Sequence, residues 1–398
     1  MSILMPTNPT VLATAVADSL VIASDLGARR AGLLYWELAQ PWTSAVVKAV
    51  QEIDEPLRSL GQALADDPAD PGAYYGLISA LLRRDPGEPA VRTLFDLAWQ
   101  AECNSRVAYH VGRSYDRSQP RVSAAELAGR PVDGPPPGPS TAGALIVIPF
   151  RDRETGGVRL RNLLACLLAL RDQSAARADY RVVVVESDDE PRWREQIEPY
   201  ADDYLFAPKG GLFNKCWTVN AGVANRGGAA ELVCILDADV LADRDFVARN
   251  IARFRRPGTA GHLTYRDMFC LDDAATSWAI RERIDRGAPD AAPAGLRGFL
   301  LRRPPGCCLW VRRSVFERIG GMDERYEGWG GEDHDFVYRF DIAAPFDSYD
   351  DRLLHLTHPE SSVLNDDGTL INAHIPPLSW KPAEPIGRLD RFARAEGA

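Results

Sequence analysis

The chain has 398 residues, 45% apolar and 26% charged, and a formal net charge of −10. That length exceeds one ordinary core and predicts two domains. The acidic balance argues against nucleic acid or an anionic membrane as the main partner, because both require a basic face.

The N-terminal stretch has no basic opening, and Asp18 interrupts its apolar part, so it does not read as a signal peptide. No run reaches the ~20 apolar residues that span a bilayer. The seven cysteines (103, 166, 216, 234, 270, 307 and 308) are odd in number and lack zinc or disulfide spacing. A reducing compartment, hence the cytoplasm, is expected. Cys307 and Cys308 read as buried packing.

Residues 44–66 and 72–85 repeat apolar side chains at spacings of three and four, the period of an amphipathic helix. Asp-Pro steps near 66–72 and 85–89 stop one helix and help start the next. Residues 1–130 therefore read as stacked helical hairpins, loosely tetratricopeptide-like but without a fixed period. "GRPVDGPPPGPSTAG" (129–143) allows neither helix nor ladder, and its core, 131–142, reads as a linker.

From 143 to 398 the rhythm changes. Apolar strands are expected at 143–150, 180–187 and 230–239, with helices at 158–173, 213–226 and 242–256. This alternation predicts an α/β domain around a largely parallel sheet. Ligands of such sheets sit at the carboxyl ends of the strands.

The residues of chemical interest fall at those ends. Asp237 and Asp239 follow the strand run "LVCIL"; i and i+2 on an extended strand point the same way, so the pair reads either as solvated turn residues or as a divalent cation site. His355 and His358 in "LLHLTHP" read either as incidental imidazoles or as the rest of that metal shell. Imidazole with carboxylate suits Mn²⁺ better than Ca²⁺. Arg151 and Arg153, beyond the strand ending at Pro149 and Phe150, suit a phosphate or a base and ribose edge. Lys215 reads equally as a surface lysine or as a further cation near phosphates. In "GWGGEDHDF" (328–336), Gly330 and Gly331 let backbone approach a ligand, and Trp329 offers a flat face to a sugar. Glu332 and Asp333 open an expected helix. Helix capping accounts for one or two acids there but not for the Trp-Gly-Gly before them. A carboxylate held at that position can accept a hydroxyl proton.

"VIPFRDR", "FNKCWTVNAG", "ILDADV", the block ending in "GWGGEDHDF" and "LHLTHP" occur in the order found in GT-A-fold glycosyltransferases. They resemble most the β-1,4-galactosyltransferase family and its bacterial family 2, chondroitin-polymerase-type relatives, over roughly residues 144–360. The resemblance implies a cytoplasmic, metal-dependent, inverting enzyme that moves a hexose or N-acetylhexosamine from a UDP-sugar to a hydroxyl of a glycan, peptide or small natural product. It implies Mn²⁺ (or Mg²⁺) held by Asp239, His355 and His358. It further implies that Pro149, Phe150, Arg151, Arg153, Lys215 and Asp237 lie along the uridine diphosphate, that Trp329, Gly331 and Glu332 lie at the sugars, and that Asp333 is the general base. His334 departs from the family's "GGEDDD", and "RPPGCCLW" (303–310) replaces its donor segment, so acceptor and donor sugar do not transfer. A retaining polypeptide N-acetylgalactosaminyl-type enzyme and an inactive glycan- or nucleotide-binding scaffold are the alternatives. The helical domain is expected to position the acceptor, to mediate self-association, or only to pack. Residues 283–299 are rich in Gly, Ala and Pro, which suits a lid loop.

Overall fold

The structure is a computed structural model that describes residues 5–28, 34–131, 139–153, 155–359, 364–365 and 368–392. Most of the expected linker, 132–138, lies outside the described residues. The chain forms two compact units. The first comprises Met1–Arg121, Asp267–Ala279 and Ala291–Arg303; the second comprises Val122–Arg266, Ile280–Asp290 and Pro304–Ala398. The sequence places a single boundary near residue 130, whereas two later segments group by contact with the N-terminal helices.

In the first unit, helices α1 (Pro9–Ser24), α2 (Leu34–Ile53), α3 (Glu55–Asp66), α4 (Pro71–Leu82) and α5 (Pro89–Asn104) follow one another. Asn8, Asp54 and Asp70 cap α1, α3 and α4, each with proline just inside the helix; proline there loses only an amide that has no partner anyway. The apolar run 44–66 is thus two helices, because the Asp54 carboxylate accepts the Leu57 amide at 2.9 Å and starts α3. Leu12, Val16, Val50, Leu64, Leu77, Leu94 and Phe95 form the common core. Against it, Val107–Val111 pairs antiparallel with Arg297–Arg302, and that strand with Asp267–Leu271. Part of the expected lid is therefore a sheet strand. Asp18 is buried in this unit, accepting the Tyr74 hydroxyl at 2.6 Å and the Tyr109 amide at 3.4 Å.

The second unit is built on β1 (Ala144–Phe150), β2 (Tyr180–Glu186), β3 (Asp203–Phe206), β4 (Leu232–Leu236), β5 (Val240–Leu241), β6 (Gly261–Leu263), β7 (Cys308–Arg312), β8 (Phe346–Ser348) and β9 (Leu353–His355). Seven of these form one sheet in the order β8-β6-β7-β4-β1-β2-β3. Strands β4, β1, β2 and β3 run parallel, and β7 is antiparallel to both neighbours. The parallel strands are almost wholly apolar, as burial on both faces requires. Helices α6 (Val158–Arg171), α7 (Lys215–Arg226) and α8 (Glu332–Ala343) flank the sheet. Helix α7 lies so close that a Cβ at Gly222 would fall 2.6 Å from Val147. Trp217, Phe316, Phe336 and Phe340 fill the core on that side. The remaining two strands, β5 and β9, pair antiparallel, His355 opposite Val240.

Candidate active site

Strand β4 stops at Leu236, and Asp237 to Asp239 form a turn instead of continuing the strand. The two carboxylates consequently meet different partners, contrary to the shared direction an extended strand would give. The Leu356 amide donates to the Asp239 carbonyl at 2.8 Å, so the β5–β9 pair zips "LHLTHP" onto this turn. His355 Nε2 lies 3.3 Å from Asp239 Oδ1, and His358 Nε2 lies 3.0 Å from Oδ2. One ligand atom from each of the three residues falls within 4.8 Å of the others. Helix α6 fixes the loop from beneath: the buried Asn162 amide donates to the carbonyls of Leu356 and Thr357, and Arg161 donates to Thr357.

The donor set fits a divalent ion. His358 Nδ1 lies 2.8 Å from the Pro359 carbonyl, which can only accept, so Nδ1 carries the proton. This is the arrangement that turns the other ring nitrogen toward a metal. Asp239 Oδ1 is buried without a hydrogen bond, its contact with His355 being unaligned, and an unmatched buried acceptor is costly. Burial works to raise the Asp239 carboxyl, but His355, His358 and Arg159 outweigh it and hold it below the usual carboxylate range. Burial lowers His355; for His358 the hydrogen bond with Asp239 overcomes burial and the shift is upward.

Asp237 faces the other way. Lys215, the first residue of α7, places Nζ 2.9 Å from Asp237 Oδ1 and 3.2 Å from Asp333 Oδ1. Burial pushes Asp237 up to about 6, against the pull of Lys215. Asp333 lies beside Gly306, where a Cβ would fall 2.1 Å from Oδ2. Tyr265 holds that loop by donating to the carbonyls of Gly306 and Pro304.

The acids of "GGEDHD" divide by role. Gly331 is the N-cap of α8, in the left-handed region at φ 94°, and offers no side-chain cap; Glu332, Asp333 and Asp335 lie in the first turn, where the helix dipole favours acids. Glu332 is buried and accepts the Gly330 amide at 2.9 Å; burial and Asp333 push it up to about 7. Asp333 faces Lys215. His334 is exposed, its ring 6.0 Å from that of Tyr338. Asp335 is buried, accepting Arg339 Nε at 2.7 Å and the Leu378 amide at 2.9 Å, a structural pin. Trp329, 46% exposed, stands free before the two glycines.

Pro149 and Phe150 end β1 as expected. The arginines after them are committed to loops. Arg151 donates to the carbonyls of Ser187, Lys209 and Gly211, and Arg153 pairs with Asp188 and Asp189. Sequence reasoning missed several residues that build the site. Asn214 caps α7 and donates to the Glu324 carbonyl; Asn220 donates to the Met322 carbonyl and the Glu324 carboxylate. These two fasten the segment that leads to Trp329. Two asparagines, one capping α7 and one within its apolar run, were the available signal, since buried amides require partners. Gly306 carried no signal, because its neighbour Asp333 is distant in sequence.

Residues 145–320 match the family model Glycosyl transferase family 2, and residues 302–344 match one described as the N-terminal domain of galactosyltransferase. Residues 145–320, which contain the parallel centre of the sheet, thus carry the pattern of a glycosyl transferase family 2 domain. Among solved structures, the chain is similar to the mannosyltransferase PcManGT of Pyrobaculum calidifontis in complex with GDP-Man and Mn²⁺. The identity is 18%, over 58% of this chain and 62% of that one, at a TM-score of 0.36; the match thus spans less than two thirds of that protein. The catalytic domain of Drosophila beta1,4galactosyltransferase 7, complexed with xylobiose, is 16% identical over 64% of this chain and 82% of that one, at a TM-score of 0.33. S. aureus TarS is 12% identical over 54% and 60%, at 0.37. A search of curated proteins gave no match. No helix among the described residues is long and apolar enough to cross a membrane.

Proposed function

We propose that the chain transfers a hexose or N-acetylhexosamine from a UDP-sugar to an acceptor hydroxyl with inversion, Asp333 acting as general base. One observation carries this reading: Asp239, His355 and His358 converge as a ligand set, while a separate carboxylate, Asp333, is tied to the same strand edge through Lys215 and Asp237. Asp239, His355 and His358 would hold Mn²⁺ (or Mg²⁺), which supplies positive charge to a departing diphosphate. Asp333 takes the acceptor O–H proton. The acceptor oxygen bonds to the anomeric carbon as that carbon's bond to the diphosphate oxygen breaks, and the electron pair leaves with the diphosphate. Trp329 offers its exposed face to sugar C–H groups, and Glu332 fixes the Gly330 turn. The loops clamped by Arg151 and Arg153 border the strand ends where a nucleotide is expected.

The retaining alternative shares the metal set and the Trp-Gly-Gly-Glu run; Asp333 directly after Glu332 in the first turn of α8 favours a single displacement. A screen of UDP-sugars with Mn²⁺ identifies the donor, and NMR of the product then reads the anomer. An inverted linkage is expected; a retained one overturns the mechanism. Asp333→Asn is expected to lower transfer by about 10²–10⁴-fold with UDP affinity nearly unchanged. Full turnover in that variant would remove Asp333 from the role.

A further inference from the structure

We infer that Lys215 is a positioning residue for the general base, a strut that holds Asp333 at a set place against the donor side of the site, and not a ligand of the diphosphate. This rests on the function proposed above.

An ammonium group has three N–H donors. Those of Lys215 are engaged by two carboxylates: Asp237 at 2.9 and 3.2 Å, and Asp333 at 3.2 and 3.3 Å. The side chain is only 13% exposed, so little of it faces a ligand. Its base is rigid. Lys215 opens α7, which Asn214 caps by accepting the Trp217 amide at 2.8 Å, and Trp217 is fully buried. Three elements therefore meet at one nitrogen: the end of β4 through Asp237, the start of α7, and the first turn of α8 through Asp333. Asp333 also meets Gly306, where a Cβ would fall 2.1 Å from Oδ2, the oxygen that lies 3.3 Å from Lys215 Nζ. The carboxylate is held by the cation, beside a glycine at which any side chain would displace it. The cation also offsets the repulsion between Asp237 and Asp333, which otherwise carry like charge toward one another. Placement of the base relative to a donor held along β4 is what the geometry supplies, and such placement is a large part of a catalytic rate.

The test uses the full chain with Lys215→Met, Lys215→Arg, Asp333→Asn and the double variant Lys215→Met/Asp333→Asn. UDP affinity in the presence of Mn²⁺ is read by calorimetry. Turnover is read as UDP release from the UDP-sugar that the wild-type protein uses best. Lys215→Met is expected to lower kcat by about 100-fold while the Kd for UDP stays within about 3-fold, and Lys215→Arg is expected to restore at least about a tenth of the lost rate. In the double variant, Lys215→Met is expected to add almost nothing to the loss from Asp333→Asn, because coupled residues are not additive. A phosphate ligand would behave oppositely: UDP affinity would fall at least about tenfold and the two losses would multiply, and either result overturns the inference. If Lys215→Met does not fold, Lys215→Gln, which keeps amide donors, carries the same additivity comparison. Full turnover in Asp333→Asn alone would instead refute the base assignment, so the two failures are distinct.

Discussion

Two buried aspartates, one in each unit, show what separates a structural acid from a ligand. Asp18 and Asp239 are both nearly inaccessible. For both, burial is the largest influence on the carboxyl group, and it favours the protonated form. Asp18 has chiefly neutral donors, the Tyr74 hydroxyl and the Tyr109 amide, and burial prevails, pushing it up to about 7. Asp239 has two imidazoles, and the shift reverses. Hydrogen bonding alone lets a buried acid keep its proton; cationic or metal-competent neighbours keep it ionised and available. Burial therefore says little about function until the partners are known.

The comparison can be broken at its strongest point first. Asp239→Asn should abolish Mn²⁺-dependent transfer, a loss of roughly 10³-fold or more, on the order expected when a metal's own charge is removed from the leaving group. Mn²⁺ binding, followed by electron paramagnetic resonance, should fall with it. Undiminished ion binding in that variant would show that the three residues are a structural cluster like that around Asp18.

Gly306→Ala probes the base side. The added methyl meets the Asp333 carboxyl group, and the rotation that relieves the clash takes the base off Lys215 while leaving the packed core untouched. Transfer is expected to drop about 10²-fold with Tm unchanged. A fall in Tm that tracks the lost activity would point to packing.

The smallest effect belongs to Asp18. Its folded pKa is raised, so the folded chain binds the proton more tightly than the unfolded one. Its contribution is greatest below the ordinary carboxyl range near 3.8 and is lost as pH rises toward about 7. Asp18→Asn should remove that slope. Its amide can still accept from Tyr109 while donating to the Tyr74 oxygen. Urea unfolding at pH 8 should show a gain of about 2–4 kcal/mol, shrinking toward pH 4, with transfer unaffected. A variant no more stable than the wild type at pH 8 would mean that Asp18 ionises freely in the fold.

Much of the second unit was legible in the sequence because its elements are local. Strands of consecutive Val, Ile and Leu between helices of period near 3.6 can be read without knowing their neighbours, and the observed ends of β1, β2, β4, α6 and α7 fall within three residues of expectation. The convergence of Asp239 with His355 and His358 was one of two readings the residues allowed, and the family resemblance chose it, since more than a hundred residues separate the partners. The turn that divides Asp237 from Asp239 was not legible. It depends on the Leu356 amide and on Lys215, both remote from it in sequence. The arginines illustrate the same limit. Composition marks Arg151 and Arg153 as anion ligands, but the carbonyls that Arg151 meets and the carboxylates that Arg153 meets are brought to them by loops remote in sequence.

By itself, the sequence determined the element types, the parallel centre of the sheet and the acids and imidazoles available at its edge, because side-chain period and composition act over a few residues. Only the tertiary structure decided which of those groups share a partner. It carried residues 267–279 and 291–303 to the helical unit, set Lys215 between two carboxylates, and put Gly306 against Asp333, where a Cβ would clash. Those outcomes depend on contacts between segments far apart in the chain, and no local pattern encodes them.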